Sequence, residues 1–466
     1  MHRPNMRNLL TYIGIDRAVL YMLANRGWNL ASGAITLLFI ARFLSVKEQG
    51  YYFAFASLLA MQILFELGMS YVIMQFASHE MARLEWTPSG EIAGDPVAKG
   101  RLRSLLILVA KWYGVVALCL VVVVLPAGIL FFSHSRNETE PFWQPAWIWL
   151  VLTAAFNIFT MPILSMLEGC EKIVEVARMR MYQSVLGSAT AWVLLASGRG
   201  LLSLPAMNTS FLIVVSIWLF STKRKFLRDL IFHTPRTVML NWKVEIWPFQ
   251  WKIAVSWLSG YFIFQIFVPI LFFYRGPTEA GQFGMSMAIS SALMSIAMAW
   301  MNAKAPGFGG LIAQGNYAHL DRIFSFALSR SMAVITMLGI GLIAANAFLH
   351  ALQIPLAQRL LGSMPFAAII FAAICNYFGY AQSTYLRAHK EEPLMLLSLA
   401  VAFLDCLLAF VFSPEYGATG VAYCFAAVSL LGNAGGGAFI SSIKRKKRQQ
   451  AAHDKQSFDY ESQTSR

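Results

Sequence analysis

Charge is what this chain has least of. Only 13% of its 466 residues are Asp, Glu, Lys or Arg, while 58% are hydrophobic. A soluble domain carries about 25% charged residues, so the composition excludes an ordinary water-soluble globule. Cysteine is scarce too: Cys119, Cys170, Cys375, Cys406 and Cys424 stand at no paired spacing. That excludes a disulfide framework or a zinc site of the usual pattern and leaves them as small packing residues. No Walker motif occurs, so ATP does not drive the protein directly, and no cofactor motif is present. The opening stretch 1–23 has Asp16 and Arg17 in its middle and no small-residue cleavage site. It reads as an interfacial lead-in, not a cleaved signal peptide.

What is there is a series of long apolar runs. Stretches of 18 or more apolar residues recur too often for buried core helices, which predicts an all-α polytopic membrane protein. The net charge of +14 could suggest nucleic acid, but its distribution argues against that partner. On the predicted spans, about 27 Lys and Arg fall on one side, about 5 on the other and about 5 within spans. This is the asymmetry that orients a protein in a bilayer, with the basic edge against anionic lipid. Both termini, the loop 77–103 and the charged stretch 222–247 are therefore expected in the cytoplasm.

One turn occurs twice. Arg42-Phe-Leu-Ser-Val-Lys-Glu-Gln-Gly-Tyr51 joins an apolar run to a second one at 51–76, and Tyr274-Arg-Gly-Pro-Thr-Glu-Ala-Gly281-Gln-Phe-Gly repeats Glu-x-Gly plus an aromatic. The second run, roughly 39 Å long at 1.5 Å per residue, suffices to cross a bilayer with some tilt. About twelve spans follow, split six and six. An even number per half relates the halves by an axis along the membrane normal. The predicted organisation is a first six-helix lobe at 1–221, a cytoplasmic linker at 222–247, a second lobe at 248–440 and a basic cytoplasmic tail at 441–466.

The first of those turns resembles the first hairpin of the polysaccharide transporter family (Wzx-type flippases), within the superfamily that includes multidrug and toxin extrusion (MATE) transporters and lipid II flippases. Tyr416-Gly-Ala-Thr-Gly-Val-Ala422 also resembles that family's Tyr-Gly-x-x-Gly-Val-Ala pattern. The resemblance implies two six-helix lobes around a central cavity. It also implies alternating access that carries the polar head of a lipid-linked oligosaccharide across the inner membrane of a bacterium. An exopolysaccharide or O-antigen precursor would be the cargo, and polysaccharide assembly proteins are possible partners. The loop 77–103 matches nothing in that pattern.

Ionisable groups inside spans are the candidates for function, because a charge at mid-bilayer is costly. Glu66 shares a face with Gln62 and Ser70 at i, i+4 and i+8, and with Asp405 it is a candidate for binding a coupling H⁺ or Na⁺. Either acid could instead be a structural hydrogen-bonding group. The basic candidates are Arg26, Arg42, Lys111, Lys252 and Arg330; Arg42 and Lys111 lie where a side chain can snorkel to the interface. Lys252 shares a face with Ser256 and Ser259. Arg26 and Lys252 occupy matching places in the two repeats and suit a lipid pyrophosphate. Asn376, Tyr380 and Ser383 form a polar stripe, on which Tyr380 could stack against sugar. The expectation is thus a transporter and not an enzyme. A MATE-type cation-coupled drug exporter is the alternative, and a membrane saccharide polymerase or glycosyltransferase a more distant one. The exporter calls for an acidic cavity, whereas the intramembrane balance here is basic. The enzyme needs a sizeable outer loop, and the outer loops are short.

Overall fold

The computed structural model describes residues 17–133, 142–234, 240, 242–389 and 393–444. The basic tail beyond 444 and the middle of the predicted linker lie outside the described residues. The fold is all-α and polytopic. Among the described residues, 7 helices are long and apolar enough to cross a membrane, or up to 9 if each of two bent pairs is one span. Packing divides the chain into two compact units: Met1–Tyr261 with Gly276–Gly281, and Phe262–Arg275 with Gln282–Arg466.

In the first unit, α1 (Arg17–Phe43) ends two residues before the cap Ser45. The Ser45 side chain accepts from the Glu48 amide at 3.1 Å, and the Glu48 carboxylate accepts from the Ser45 amide at 2.7 Å. This reciprocal box satisfies two orphan donors, so the expected polar turn is mostly the first turn of α2 (Val46–Leu59). The expected continuous helix over 51–76 is not continuous. A short α3 (Gln62–Glu66) and α4 (Met69–Met81) follow, and the axis bends by 43° between them. Leu67 and Gly68 sit there in the left-handed region at φ 52° and 67°. Glycine takes that conformation freely, whereas leucine does so only at a cost.

The stretch 77–103 is ordered. After α4 it forms an antiparallel hairpin, β1 (Leu84–Trp86) with β2 (Ile92–Gly94). Asp95 then caps α5 (Pro96–Ser133) by accepting from the Val97 amide at 3.0 Å. The helix widens to a π turn at Leu120–Val124, just ahead of Pro126. Proline offers no amide to the ladder. Next come α6 (Gln144–Gly169), α7 (Ile173–Ala196) and α8 (Gly200–His233). Two indoles join α1 to α7: Trp28 Nε1 donates to Ser188 Oγ at 3.2 Å, and Trp192 Nε1 to Thr36 Oγ1 at 2.9 Å.

The hairpin grips the end of α8. The Trp86 indole donates to the Cys170 carbonyl at 2.8 Å and packs on Phe226, with ring centroids 5.2 Å apart. Lys172 and Lys223 lie 4.5 and 5.4 Å from the Trp86 ring centroid. Glu175 bridges both lysines, at 3.6 Å and 2.5 Å respectively. Lys99 pairs with Asp229 at 2.8 Å, and Arg101 reaches both Glu80 and Glu245.

The division between the units falls inside α9 (Trp247–Phe264), which is followed after a 43° bend by α10 (Phe267–Arg275). The second unit continues through α11 (Pro277–Ala313), α12 (Tyr317–Ala351), α13 (Ser363–Ala388) and α14 (Met395–Lys444). At 50 residues α14 is too long for one crossing: about 75 Å against a hydrocarbon core of about 30 Å. It breaks at Gly417, whose φ of 56° and ψ of −149° are not helical. Gly417 is the glycine of the Tyr416-Gly417 pattern.

The first turn of α11 belongs with the first unit and explains the repeated Glu-x-Gly. A Cβ on Gly281 would lie 2.8 Å from the Gly50 amide, and one on Gly50 would fall onto the Pro277 carbonyl. Gln49, fully buried, donates from Nε2 to the Gly281 carbonyl at 2.9 Å. The two matching helix starts meet backbone to backbone.

Two predictions come from this packing. Gly50→Val lowers the melting temperature of the purified protein by the equivalent of about 1–3 kcal/mol, since the obstructing atoms are backbone. Gly33→Ala, where a Cβ meets nothing within 4 Å, is neutral or stabilising by up to about 1 kcal/mol. Equal melting temperatures for the two variants would sink the packing argument. The second prediction concerns the clasp on α8. Burial pushes the Glu175 carboxyl up, but hydrogen bonding and charge from Lys223 and Lys172 outweigh it and hold it below its ordinary 4.5. With the folded value below the unfolded one, the stabilisation is complete above about pH 4.5 and is lost as pH falls through the folded value. Glu175→Gln therefore melts lower than wild type near neutrality, and the gap closes on acidification. A gap that stays constant in melts taken down to about pH 3 contradicts the clasp.

Candidate functional site

A cavity of about 480 Å³ opens within the first unit. Six helices supply polar groups to its wall: Asn25 from α1, Gln62 from α3 and Ser70 from α4 on either side of the break, Asn157, Thr160 and Ser165 from α6, Arg180, Gln183 and Ser184 from α7, and Asn208 from α8. Apolar residues such as Leu59, Met161 and Phe211 fill the rest. In a membrane-spanning bundle, side chains of this kind must face protein or water.

The amides are positioned by backbone carbonyls across helix pairs. Asn157 Nδ2 donates to the Asn208 carbonyl at 2.8 Å, and Gln183 Nε2 to the Phe211 carbonyl at 3.0 Å. Both carbonyls lie on α8, so α6 and α7 are each tied to it. Thr160 donates to the Asn157 carbonyl at 2.7 Å, where α6 is locally distorted. Asn25 Oδ1 is buried with no hydrogen-bond partner among the described residues. The guanidinium of Arg180 pairs with Glu168 at 3.1 Å while remaining 45% exposed, so it can turn to another anion.

Glu66 sits at the broken helix beside this wall. Ser70 Oγ donates to its Oε1 at 2.5 Å and the fully buried Tyr113 hydroxyl to the same oxygen at 3.1 Å. Ser70 and Tyr113 lie 3.2 Å from each other. Gln62 and Ser70 line the cavity as their shared face anticipates, but across the bend and not along one straight helix. The break brings a carboxylate, two hydroxyls and the cavity wall together.

The other sequence candidates are not among the described residues that line this cavity. Arg26 is exposed on α1, and Arg42 is exposed in that helix's last turn. Lys111 is exposed on α5, and Arg330 is exposed on α12, with its guanidinium 4.1 Å from the Phe326 ring centroid. The side chains of Lys252 and Ser256 lie outside the described residues. In the second unit, Asn376 is 5% exposed; it donates to Ser429 Oγ at 3.1 Å and accepts from Asn433 Nδ2 at 2.5 Å. Tyr380 donates to Asn302 Oδ1 at 2.7 Å. Asp405 is 2% exposed, and neither carboxylate oxygen has a hydrogen-bond partner among the described residues.

Arg180, Asn25, Gln183 and Asn208 escaped the sequence reading. A signal existed for part of this set: Arg180, Gln183 and Ser184 at i, i+3 and i+4 make a polar stripe on α7. Arg180 stands close enough to the inner end of its span to pass for an orienting charge. Asn25 and Asn208 are single amides in apolar surroundings, and nothing local links them.

No protein-family profile matches the chain, and no curated protein matches it. Solved structures do match in fold. An inward-facing multidrug resistance MATE family transporter of the MOP superfamily aligns with a TM-score of 0.58 at 14% identity, over 89% of this chain and 99% of that one. Lipid II flippase MurJ in an inward closed conformation aligns with a TM-score of 0.62 at 14% identity, over 89% of this chain and 86% of that one. A MOP superfamily transporter from Pyrococcus furiosus, described as having a binding pocket of reversed polarity, gives 0.55 at 14% identity over 93% and 95%. The chain thus shares the fold of these membrane transporters.

Removing a donor from Glu66 tests the geometry at the break. Tyr113→Phe and Ser70→Ala are each expected to cost about 0.6–2 kcal/mol of thermal stability. The double variant should lose less than the two added together, because both hydroxyls serve one oxygen. Strict additivity would mean that the hydroxyls act independently of the carboxylate.

Proposed function

We propose that the chain is a transporter that moves the polar head of a lipid-linked oligosaccharide across the inner membrane by alternating access. The observation that carries this reading is the chemistry of the cavity wall. It presents five amides, hydroxyls and one guanidinium, and among its described lining residues no carboxylate. Amides and hydroxyls both donate and accept, which suits a hydroxyl-rich saccharide. The guanidinium suits a phosphate.

Around that reading we place the remaining assignments. The crossings number about twelve when α1 and α7 are added to the nine apolar spans and α14, one of the nine, is counted as two, giving lobes at 1–221 and 248–440 joined by the linker. Both helices are less apolar than those nine, and a single charge in each, Arg26 on the one and Arg180 on the other, does not prevent a buried crossing. Both termini are cytoplasmic. Glu66 binds a proton or Na⁺ and biases the access states, with hydroxyls ready to join its coordination. Asp405 is the second coupling candidate, since a buried acid without a donor is satisfied by a proton or a cation. Arg26 and Lys252 are the phosphate contacts at the inner entrance. Asn376 and Tyr380 hold their helices in this state and meet sugar only if those bonds open.

A second reading, a cation-coupled drug exporter, draws on the fold shared with a multidrug transporter. A wall without carboxylates counts against it, because a cationic drug calls for a compensating acid. Reconstitution separates the two. Vesicles carrying the protein should deliver a fluorescent lipid-linked oligosaccharide to the far leaflet, and Arg180→Gln should slow delivery at least about tenfold while the protein still inserts. Undiminished delivery by Arg180→Gln removes the cavity from the mechanism. Export of a cationic dye without saccharide delivery replaces the flippase with the exporter.

A further inference from the structure

The inner end of α8 separates its charges by face. Over 219–233 one side is buried: Leu219, Lys223, Phe226, Asp229 and Leu230 are all 8% exposed or less. Both ionic groups on that side are paired, Lys223 with Glu175 and Asp229 with Lys99. Arg103 fixes the same stretch by donating from Nε to the Ile231 carbonyl at 3.1 Å. The opposite side is left open. Arg224, Lys225 and Arg228 are exposed there, and none forms an ion pair among the described residues. Phe220 and Phe232 flank them at 74% and 76% exposure.

Two exposed phenyl rings around three unpaired cations make a poor water-facing surface. At the mouth of a membrane span they make a good one. The helix Gly200–His233 has 34 residues, about 51 Å at 1.5 Å per residue, so roughly its last two-fifths overhangs a hydrocarbon core of about 30 Å. That part begins near Phe220 and coincides with the two-faced stretch. Aromatic rings are at home in the interfacial layer, and basic side chains reach lipid phosphates from it.

We propose that the outward face of 219–233 is a docking site for anionic phospholipid headgroups, held in place by the hairpin β1–β2. Trp86 of the hairpin packs on Phe226, and Lys99, on the first turn of α5 just after the hairpin, sequesters the stretch's one acid, Asp229, so that all free charge facing lipid is positive. The hairpin's pairing of Lys223 over Trp86 keeps a fourth cation out of that face. On this account the stretch 77–103 is a brace that orients a lipid contact.

Native mass spectrometry of the full-length protein in neutral detergent tests the proposal, with dioleoyl-phosphatidylglycerol and dioleoyl-phosphatidylcholine added at equal concentration. Wild type should retain more phosphatidylglycerol than phosphatidylcholine. Arg224→Gln combined with Lys225→Gln and Arg228→Gln should weaken phosphatidylglycerol binding about tenfold or more and leave phosphatidylcholine unchanged. Exchanging the same positions conservatively (Arg224→Lys, Lys225→Arg, Arg228→Lys) should preserve the excess, which separates charge from folding. Phe232→Ser should weaken both lipids, as expected of a ring inserted among acyl chains. An excess of phosphatidylglycerol that survives the triple Gln variant overturns the site. So does displacement of the lipid by inorganic phosphate at matched concentration, which would make the cations a soluble-anion site.

Discussion

Hydrocarbon offers no partner to an unpaired amide or carbonyl, so a spanning helix can break only where the protein itself completes the bonding. This constraint fixes where the chain can depart from regular helix. At the α3–α4 break the Leu67 amide still reaches the Ile63 carbonyl at 3.2 Å, and the Tyr71 amide reaches the Gly68 carbonyl at 3.2 Å. Side chains then use the room: Glu66, Ser70 and Tyr113 close on one another there, and the polar wall begins beside them. The π turn before Pro126 follows the same logic, with the Trp147 indole donating to the Leu125 carbonyl at 3.1 Å.

Close approach is the second requirement, because without a solvent-driven preference between helices and lipid, association depends on packing and hydrogen bonds. Gly50 against the start of α11 is one such place, and Gly169 against the Met74 carbonyl another. The second contact sets α6 directly on α4, next to the cavity that both helices line. In the second unit Gly379 lies against Asn433, where a Cβ would come within 2.8 Å of the carbonyl. Asn433 in turn holds Asn376. That close packing explains why a stripe that looks cavity-facing in sequence is spent on helix contact.

The sequence was most legible where physics acts on averages. Low charge and long apolar runs specify the all-α membrane class, and the Ser45-x-x-Glu48 box is a helix start where the residue types alone suggest a polar turn. The α3–α4 break was invisible to hydropathy, since Leu67 lowers no average and Gly68 is an ordinary residue in spans. The hairpin at 77–103 was hidden by its polarity, because pairing of two three-residue strands leaves little trace in composition. The candidate acids were found because a lone carboxylate in an apolar run stands out. The cavity wall was not, because its amides come singly from five helices, and only packing brings them together.

The pairing of Arg180 with Glu168 bears on what the cavity can select. A guanidinium facing a cavity with no countercharge would attract any anion strongly in a low-dielectric wall. Held at 3.1 Å by a carboxylate that is itself 19% exposed, it offers an incoming phosphate only the difference between two partners. Discrimination then falls to the neutral amides, whose donors and acceptors must be matched by the ligand or left unpaired in a site that excludes water. On the proposed function, the saccharide is selected by amide complementarity. The phosphate meets a charge that becomes available only as Glu168 lets it go, which ties release of Arg180 to arrival of an anion.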